Sequence, residues 1–275
     1  MRPIDIRVTP KSSSEFDCED EVVVTQDYAC VIDGQGSKSD TRWEGKTPGI
    51  MSKIILKEAL STMPNKYDIF QATEYMTQAI NQRYQQLNVL DLMSHQPHER
   101  FSSAVAIFSK FRYEVWLFGD CQCLLDGIRY TNSHPIISVL GQARSLFNEF
   151  ELANGKTTQD LMQKDTGREY IFDMLKHQTL FQNAHFESPY SYVMIDGFPI
   201  QKDKLKLLHV TEDNQFIVLA TDGYPELLPS LDESENKLKE ILNDDPLLIK
   251  KYRMSKGMGA RQVSFDDRAY VKVEL

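Results

Sequence analysis

Cysteine is scarce in this chain: Cys18, Cys30, Cys121 and Cys123 are the only four. They form no Cys-x-x-Cys pair and show no framework spacing, which argues against a disulfide scaffold. Cys121 and Cys123, two apart, would share one strand face and read as ordinary buried thiols rather than a metal or redox pair. Long apolar runs are absent too. None approaches the ~20 residues of a membrane span, and "MRPIDIRVTP" lacks the apolar core of a secretory signal, so a soluble, cytoplasmic protein with no membrane partner is expected. No Lys/Arg block alternates with aromatics, and the formal net charge of -9 is spread along the sequence, so no nucleic-acid surface is expected. The six histidines show no zinc spacing and no His-Glu-x-x-His occurs. What is present is a chain of 275 residues, 41% hydrophobic and free of low-complexity tracts. It is long enough to bury a full core and is expected to form one domain over 1–275. To attract a phosphorylated ligand, so acidic a chain would need a bound cation.

The periodicity alternates between strands and helices. "EVVVTQDYACVIDG" (21–34) reads as two short strands, the second ending on Asp33-Gly34. From Pro48 to Met63 apolar residues recur at helical spacing, with Thr47 as N-cap and Pro48 at the first helical position. A second helix is expected from about Asp68 to Leu90, antiparallel to the first. "SSAVAIFS" and "YEVWLFGDCQCLLDGIRY" give a meander, and Pro135 to Phe181 is helical, broken near Asn154-Gly155. "SYVMIDGFPI", "KLKLLHV" and "QFIVLATDG" add strands, "ESENKLKEIL" a charged helix and "DDRAYVKVEL" a closing strand. About nine strands in hairpins with helices in pairs predict an α+β fold. Its form is a four-layer α/β/β/α sandwich, with two stacked antiparallel sheets flanked by helix pairs.

Acids recur at strand ends. Four Asp-Gly pairs occur, at Asp33, Asp126, Asp196 and Asp222. Asp126 and Asp196 fit tight hairpin turns. Asp33 and Asp222 end apolar runs that lead into long connections, so no strand returns at once. Asp120 follows "EVWLFG", Asp266 and Asp267 precede the last strand, and Glu19 and Asp20 open the first. Carboxylates gathered at one sheet end repel, and a shared hard cation with oxygen ligands removes the conflict. Two such ions could activate a water and neutralise a phosphoryl group without a nucleophilic side chain. Rival chemistries fail on spacing. The position two before each of Asp33 and Asp222 holds Val31 or Ala220, excluding an aspartyl-phosphate mechanism of the haloacid-dehalogenase kind. "GQGSKS" lacks the Gly-Lys-Ser/Thr of a P-loop, "GMGAR" is a lone Gly-x-Gly, and Ser37, Ser39 and Ser102 lack a nucleophile elbow.

The ordered series "CED", "CVIDGQG", "FSSAVAIF", "WLFGDCQCLL", "IVLATDGYPELL" and "FDDRAYVKV" resembles the type 2C, metal-dependent protein serine/threonine phosphatases, especially compact bacterial members. Residues 135–188 carry no motif that aligns. The resemblance implies two Mn2+ or Mg2+ ions and a weaker third. Asp33 would bridge the pair, Gly34 would offer its carbonyl, and Asp222 and Asp266 would complete the first site. Glu19 and Asp20 would hold metal-bound waters, Asp120 the third ion, and Asp267 occupies the Asn/Asp position after the last ligand. There are departures. Gln35 replaces the frequent His after Asp-Gly and cannot act as a general acid. Glu15 stands where an N-terminal phosphate-binding Arg is usual, with Arg42 and Arg100 as candidate substitutes. Cys121 replaces a Ser, and Ala269 a Thr or Ser. The implied activity is hydrolysis of phosphoserine or phosphothreonine in proteins. A small phosphomonoester substrate and a catalytically silent binding domain are the alternatives.

Overall fold

The computed structural model describes residues 1–132 and 134–275. Ten strands form two five-stranded sheets. One sheet joins β2 (Asp20–Val24), β3 (Tyr28–Gly34), β4 (Ser103–Ser109), β5 (Glu114–Phe118) and β8 (Lys206–His209) in that order. The other has the order β1 (Arg2–Thr9), β10 (Arg268–Glu274), β9 (Phe216–Ala220), β6 (Gln122–Leu125) and β7 (Ile128–Thr131). Every neighbouring pair is antiparallel.

Alternation along the strands builds the layers. In β3 and β4, Cys30, Ile32, Val105 and Ile107 face outward onto α1 (Pro48–Thr62) and α2 (Ile69–Gln86), where Leu56, Leu60, Met76 and Ile80 cover them. Their neighbours Ala29, Val31, Ala104 and Ala106 face inward and meet Ile217, Leu219, Val271 and Val273 of the second sheet. The small side chains let the sheets close on each other. The same period of two puts Asp33 on the inward face, with Ala29 and Val31. The outer face of the second sheet, with Val218, Ala220 and Tyr270, is covered by Leu238, Ile241 and Leu242 of α8 (Leu231–Asp244) and by Tyr224, Leu227 and Leu248. The α+β sandwich expected from sequence is thus present, but a single helix with loop residues takes the place of the second helix pair. Helix starts follow their caps: Thr47 Oγ1 accepts from Ile50 N at 3.2 Å, and Asp68 and Gln71 close a capping box on α2, contributing ~1 kcal/mol each.

Several expectations are corrected. The second helix ends at Gln86, and α3 (Leu90–His95) follows separately. The 135–181 region is α4 (Pro135–Ala153), then α5 (Thr158–Gln163), α6 (Thr166–Tyr170) and α7 (Phe172–His177). β1 was not anticipated, because its Ile4 and Ile6 are about half exposed and give no core signal. "SYVMIDGFPI" forms only isolated bridges, Ser103 with Ile195 and Gln182 with Tyr192. Asp126-Gly127 is the expected hairpin turn, with φ of 45° and 85°. Asp196 lies in a bend before Gly197 (φ 84°) but turns no two-strand hairpin. Its carboxylate is fully buried and accepts from Arg100, Gln182, Asn183 and the Phe198 amide. No helix among the described residues is long and apolar enough to cross a membrane.

Candidate active site

The acids sit where the two sheets expose strand ends on one side. Asp20 and Asp33 stand directly opposite in the β2–β3 register, a like-charge pair that a sheet would ordinarily avoid. The β3 tip is pinned by Gly34 N donating to Glu19 O at 3.1 Å and Gln35 N to Ser102 O at 2.9 Å. Gly34 is packed so closely that a Cβ there would lie 2.7 Å from both Glu19 O and Gly49 O. At the β9 tip, a Cβ on Gly223 would collide with the Asp267 carbonyl. These two glycines let the Asp33 and Asp222 segments approach the neighbouring chain.

Glu19, Asp33, Asp120, Asp222 and Asp266 line one cleft of about 100 Å3, while Asp20 is buried behind it. Glu19 is held from both ends: its Oε1 accepts from Thr47 Oγ1 at 2.6 Å, and its amide donates to Asp267 Oδ2 at 3.1 Å. Asp267 faces Lys11, whose amide and Nζ donate to its two oxygens at 2.8 and 3.0 Å. Asp267 therefore works as a brace, and the Lys11 ammonium also reaches Asp266 at 3.7 Å and Glu19 at 3.8 Å. Lys256 is ion-paired with the other oxygen of Asp266.

Electrostatics separates these acids into two groups. Burial, then the charges of Asp266 and Asp267, push Asp20 well above the usual carboxylate range, and its Oδ2 finds no hydrogen-bond partner among the described residues. Burial and the carboxylates of Asp20 and Asp222 raise Asp33 likewise. Asp222, within hydrogen-bond reach of Asp33, is pushed up to about 7 by burial and by Asp266 and Asp120. Burial also works against the charge of Asp266 and Asp120, yet Lys256 and Lys11 hold Asp266 low and a bond to His134 (Nδ1–Oδ2 3.3 Å) holds Asp120 low. The cluster is thus short of positive charge on the Asp20–Asp33–Asp222 side. Among the described residues, no three Asp, Glu, His or Cys side chains are disposed around one point as a ready ligand set; the lysine ammoniums stand among them.

The candidate phosphate ligands lie elsewhere. Arg100 is spent on the Met93 carbonyl and Asp196, and it stacks on Phe198. Arg42 is turned to its own loop, donating to Thr41 O at 2.9 Å, and lines an adjacent groove. Gln35 lines the cleft itself. Lys11, Lys38, His134, Arg168 and Lys256 are the residues that sequence reasoning missed. Only Lys38 carried any signal, inside "GQGSKS", and it was a misleading one.

No protein-family model and no curated protein matches the chain. Solved structures similar to it include RsbX in complex with magnesium (13% identity over 98% of this chain and 93% of that one, TM-score 0.42). Others are the Mycobacterium tuberculosis serine/threonine phosphatase PstP/Ppp (14%, 98% and 97%, 0.46) and the PPM Ser-Thr phosphatase MsPP from Mycobacterium smegmatis in complex with cacodylate (13%, 100% and 100%, 0.48). These likenesses, at 13–14% identity, cover nearly the whole of this chain.

Proposed function

We propose that this protein is a divalent-cation-dependent phosphomonoester hydrolase acting on phosphoserine or phosphothreonine in proteins. The observation that carries this reading is the convergence of Asp33, Asp120, Asp222 and Asp266, from segments far apart in sequence, on one cleft, with Asp20 buried opposite Asp33; Asp20, Asp33 and Asp222 are pushed up by burial and mutual repulsion. A fold tolerates so costly an arrangement when a ligand relieves it. The donor set fits a hard cation: oxygens only, one buried oxygen of Asp20 unpartnered, and a glycine at the β3 tip where the backbone must come close. Asp33, Asp222, Asp266 and the Gly34 carbonyl would hold the principal ions, and Asp120 a weaker one. When bound, such ions activate water and offset phosphoryl charge.

The chain's own residues have separable tasks. Thr47 and Asp267 fix Glu19 so that its carboxylate is presented to the cleft. Asp20 and Glu19 offer oxygens to orient water. Gln35 can hold a hydrogen bond but has no proton to give the leaving group. Lys11 and Lys256 balance Asp266 and Asp267. The resemblance of the ordered motif series to type 2C phosphatases supports a protein phosphomonoester as the substrate class.

The Lys256–Asp266 ion pair favours a second reading, a silent relative that keeps the fold for binding alone. Release of phosphate from para-nitrophenyl phosphate with Mn2+ separates the two. The wild type is expected to turn over, and Asp222→Asn to lose more than ~100-fold, since even outer partners of a metal cost 10–100-fold. An Asp222→Asn protein as active as the wild type overturns the metal assignment. Calorimetry showing no Mn2+ binding would select the silent reading.

A further inference from the structure

The cleft lined by the carboxylates carries a second set of charges. Lys38 enters it from the loop after β3, four residues past Gly34, and Arg168 from α6. Lys38 is only 7% exposed. Its Nζ donates to the Gly36 carbonyl at 2.7 Å, which uses one of three ammonium donors. Arg168 Nη1 donates to the Ser255 carbonyl at 2.7 Å, which orients the guanidinium and leaves most of its fork unused. Asp165, the acid that most offsets the Arg168 charge, is already bonded to Arg144 (2.7 Å). Two cations therefore share the cleft, Lys38 buried and Arg168 half-buried, each held by a backbone carbonyl. Burial, then Arg168 and Lys256, pull Lys38 down to about 7, and burial pulls Arg168 down as well. Buried like charges of this kind are costly unless an anion joins them.

We propose that Lys38 and Arg168 form the receptor for the substrate's phosphoryl group, in place of the N-terminal arginine whose position holds Glu15. This rests on the phosphatase reading and deepens it. A phosphoryl dianion between the two would accept from the free ammonium hydrogens of Lys38 and from the guanidinium fork of Arg168. It would face the wall carrying Asp33 and Asp222. Arg42 and Arg100, both outside the cleft, take no part.

The test compares wild type, Lys38→Met, Arg168→Met and the charge-keeping Arg168→Lys, all with Mn2+. Turnover of para-nitrophenyl phosphate is measured alongside direct calorimetric binding of inorganic phosphate. The receptor predicts a rise in KM of at least ~10-fold in both methionine variants, an equal weakening of phosphate affinity, partial recovery in Arg168→Lys, and unchanged Mn2+ affinity. Wild-type turnover with unaltered KM and phosphate affinity in both methionine variants overturns the receptor and leaves the hydrolase standing. Phosphate binding that depends on Lys38 and Arg168 without turnover keeps the receptor and removes the hydrolase. No phosphate binding to the wild type rejects the receptor outright. Should Lys38→Met not fold, Arg168→Met against Arg168→Lys decides alone, since Arg168 is only partly buried.

Discussion

Burial moves the Lys38 ammonium far from its ordinary state. Arg168, Lys256, Glu19 and Asp266 are the charged groups that act on it, and burial with the two cations outweighs the two acids. Its ammonium titrates near 7 in the folded chain against about 10.4 in the unfolded one. The sign follows from proton counting. Below pH 7 both states hold the proton, and the folded state bears the full cost of the buried charge. Between about 7 and about 10 the unfolded state alone holds it, so stability from this group rises with pH. Lys38→Met is expected to be more stable than the wild type at about pH 6, by on the order of 4 kcal/mol, and indistinguishable by about pH 10. Urea denaturation of both proteins at the two pH values checks it, and a pH-independent difference would contradict the burial of the charge. Nothing in "GQGSKS" discloses this. A lysine in a Gly/Ser loop reads as solvated, and its burial is set only once the chain has folded.

At the level of elements, "SYVMIDGFPI" shows why alternation can mislead. Its apolar residues are core residues, with Val193 and Ile195 almost fully buried, but they are held by isolated bridges and by side chains rather than by a continuous ladder. Asn183 Nδ2 donates to the Met194 carbonyl at 2.8 Å, and Tyr84 Oη donates to the Asp196 carbonyl at 2.9 Å while accepting from Phe101 N at 2.7 Å. Asp196 and Arg100 close this hub at 3.0 Å. Arg100→Met strands a fully buried carboxylate and is expected to cost about 3–5 kcal/mol, read by chemical denaturation. KM for para-nitrophenyl phosphate should not move, whereas a raised KM would restore Arg100 as a phosphate ligand. Elements with pure periods, such as α1 with its Thr47 cap or the β6–β7 hairpin at Asp126-Gly127, were legible because local chemistry alone specifies them. β1 was not, since an edge strand with both faces partly exposed owes its existence to the partner β10.

Across the whole molecule, the stacking of two sheets brings the tips of β3, β9 and β10 to one cleft, and ion binding there should couple to global stability. Mn2+ at ~100 times its dissociation constant is expected to add about 2.7 kcal/mol to unfolding if it binds only the folded chain, with a concentration-dependent rise in Tm that Asp222→Asn abolishes. Scanning calorimetry across a Mn2+ series checks this, and the same shift in Asp222→Asn would place the ion elsewhere. The formal charge of -9 and the crowding of acids in the cleft make the unliganded fold the more sensitive state. The sequence by itself determined that strands end on acids, that Asp-Gly pairs follow apolar runs, and that paired helices cover an antiparallel sheet, because hydrophobic period and turn chemistry are local properties. Only the tertiary structure decided that Asp33, Asp120, Asp222 and Asp266 share a cleft while Asp196 anchors a core. It also decided that Lys38 and Arg168, rather than Arg42 or Arg100, line that cleft. Convergence and burial depend on which distant strands pair and which loops pack over their ends, and no short stretch of residues encodes that.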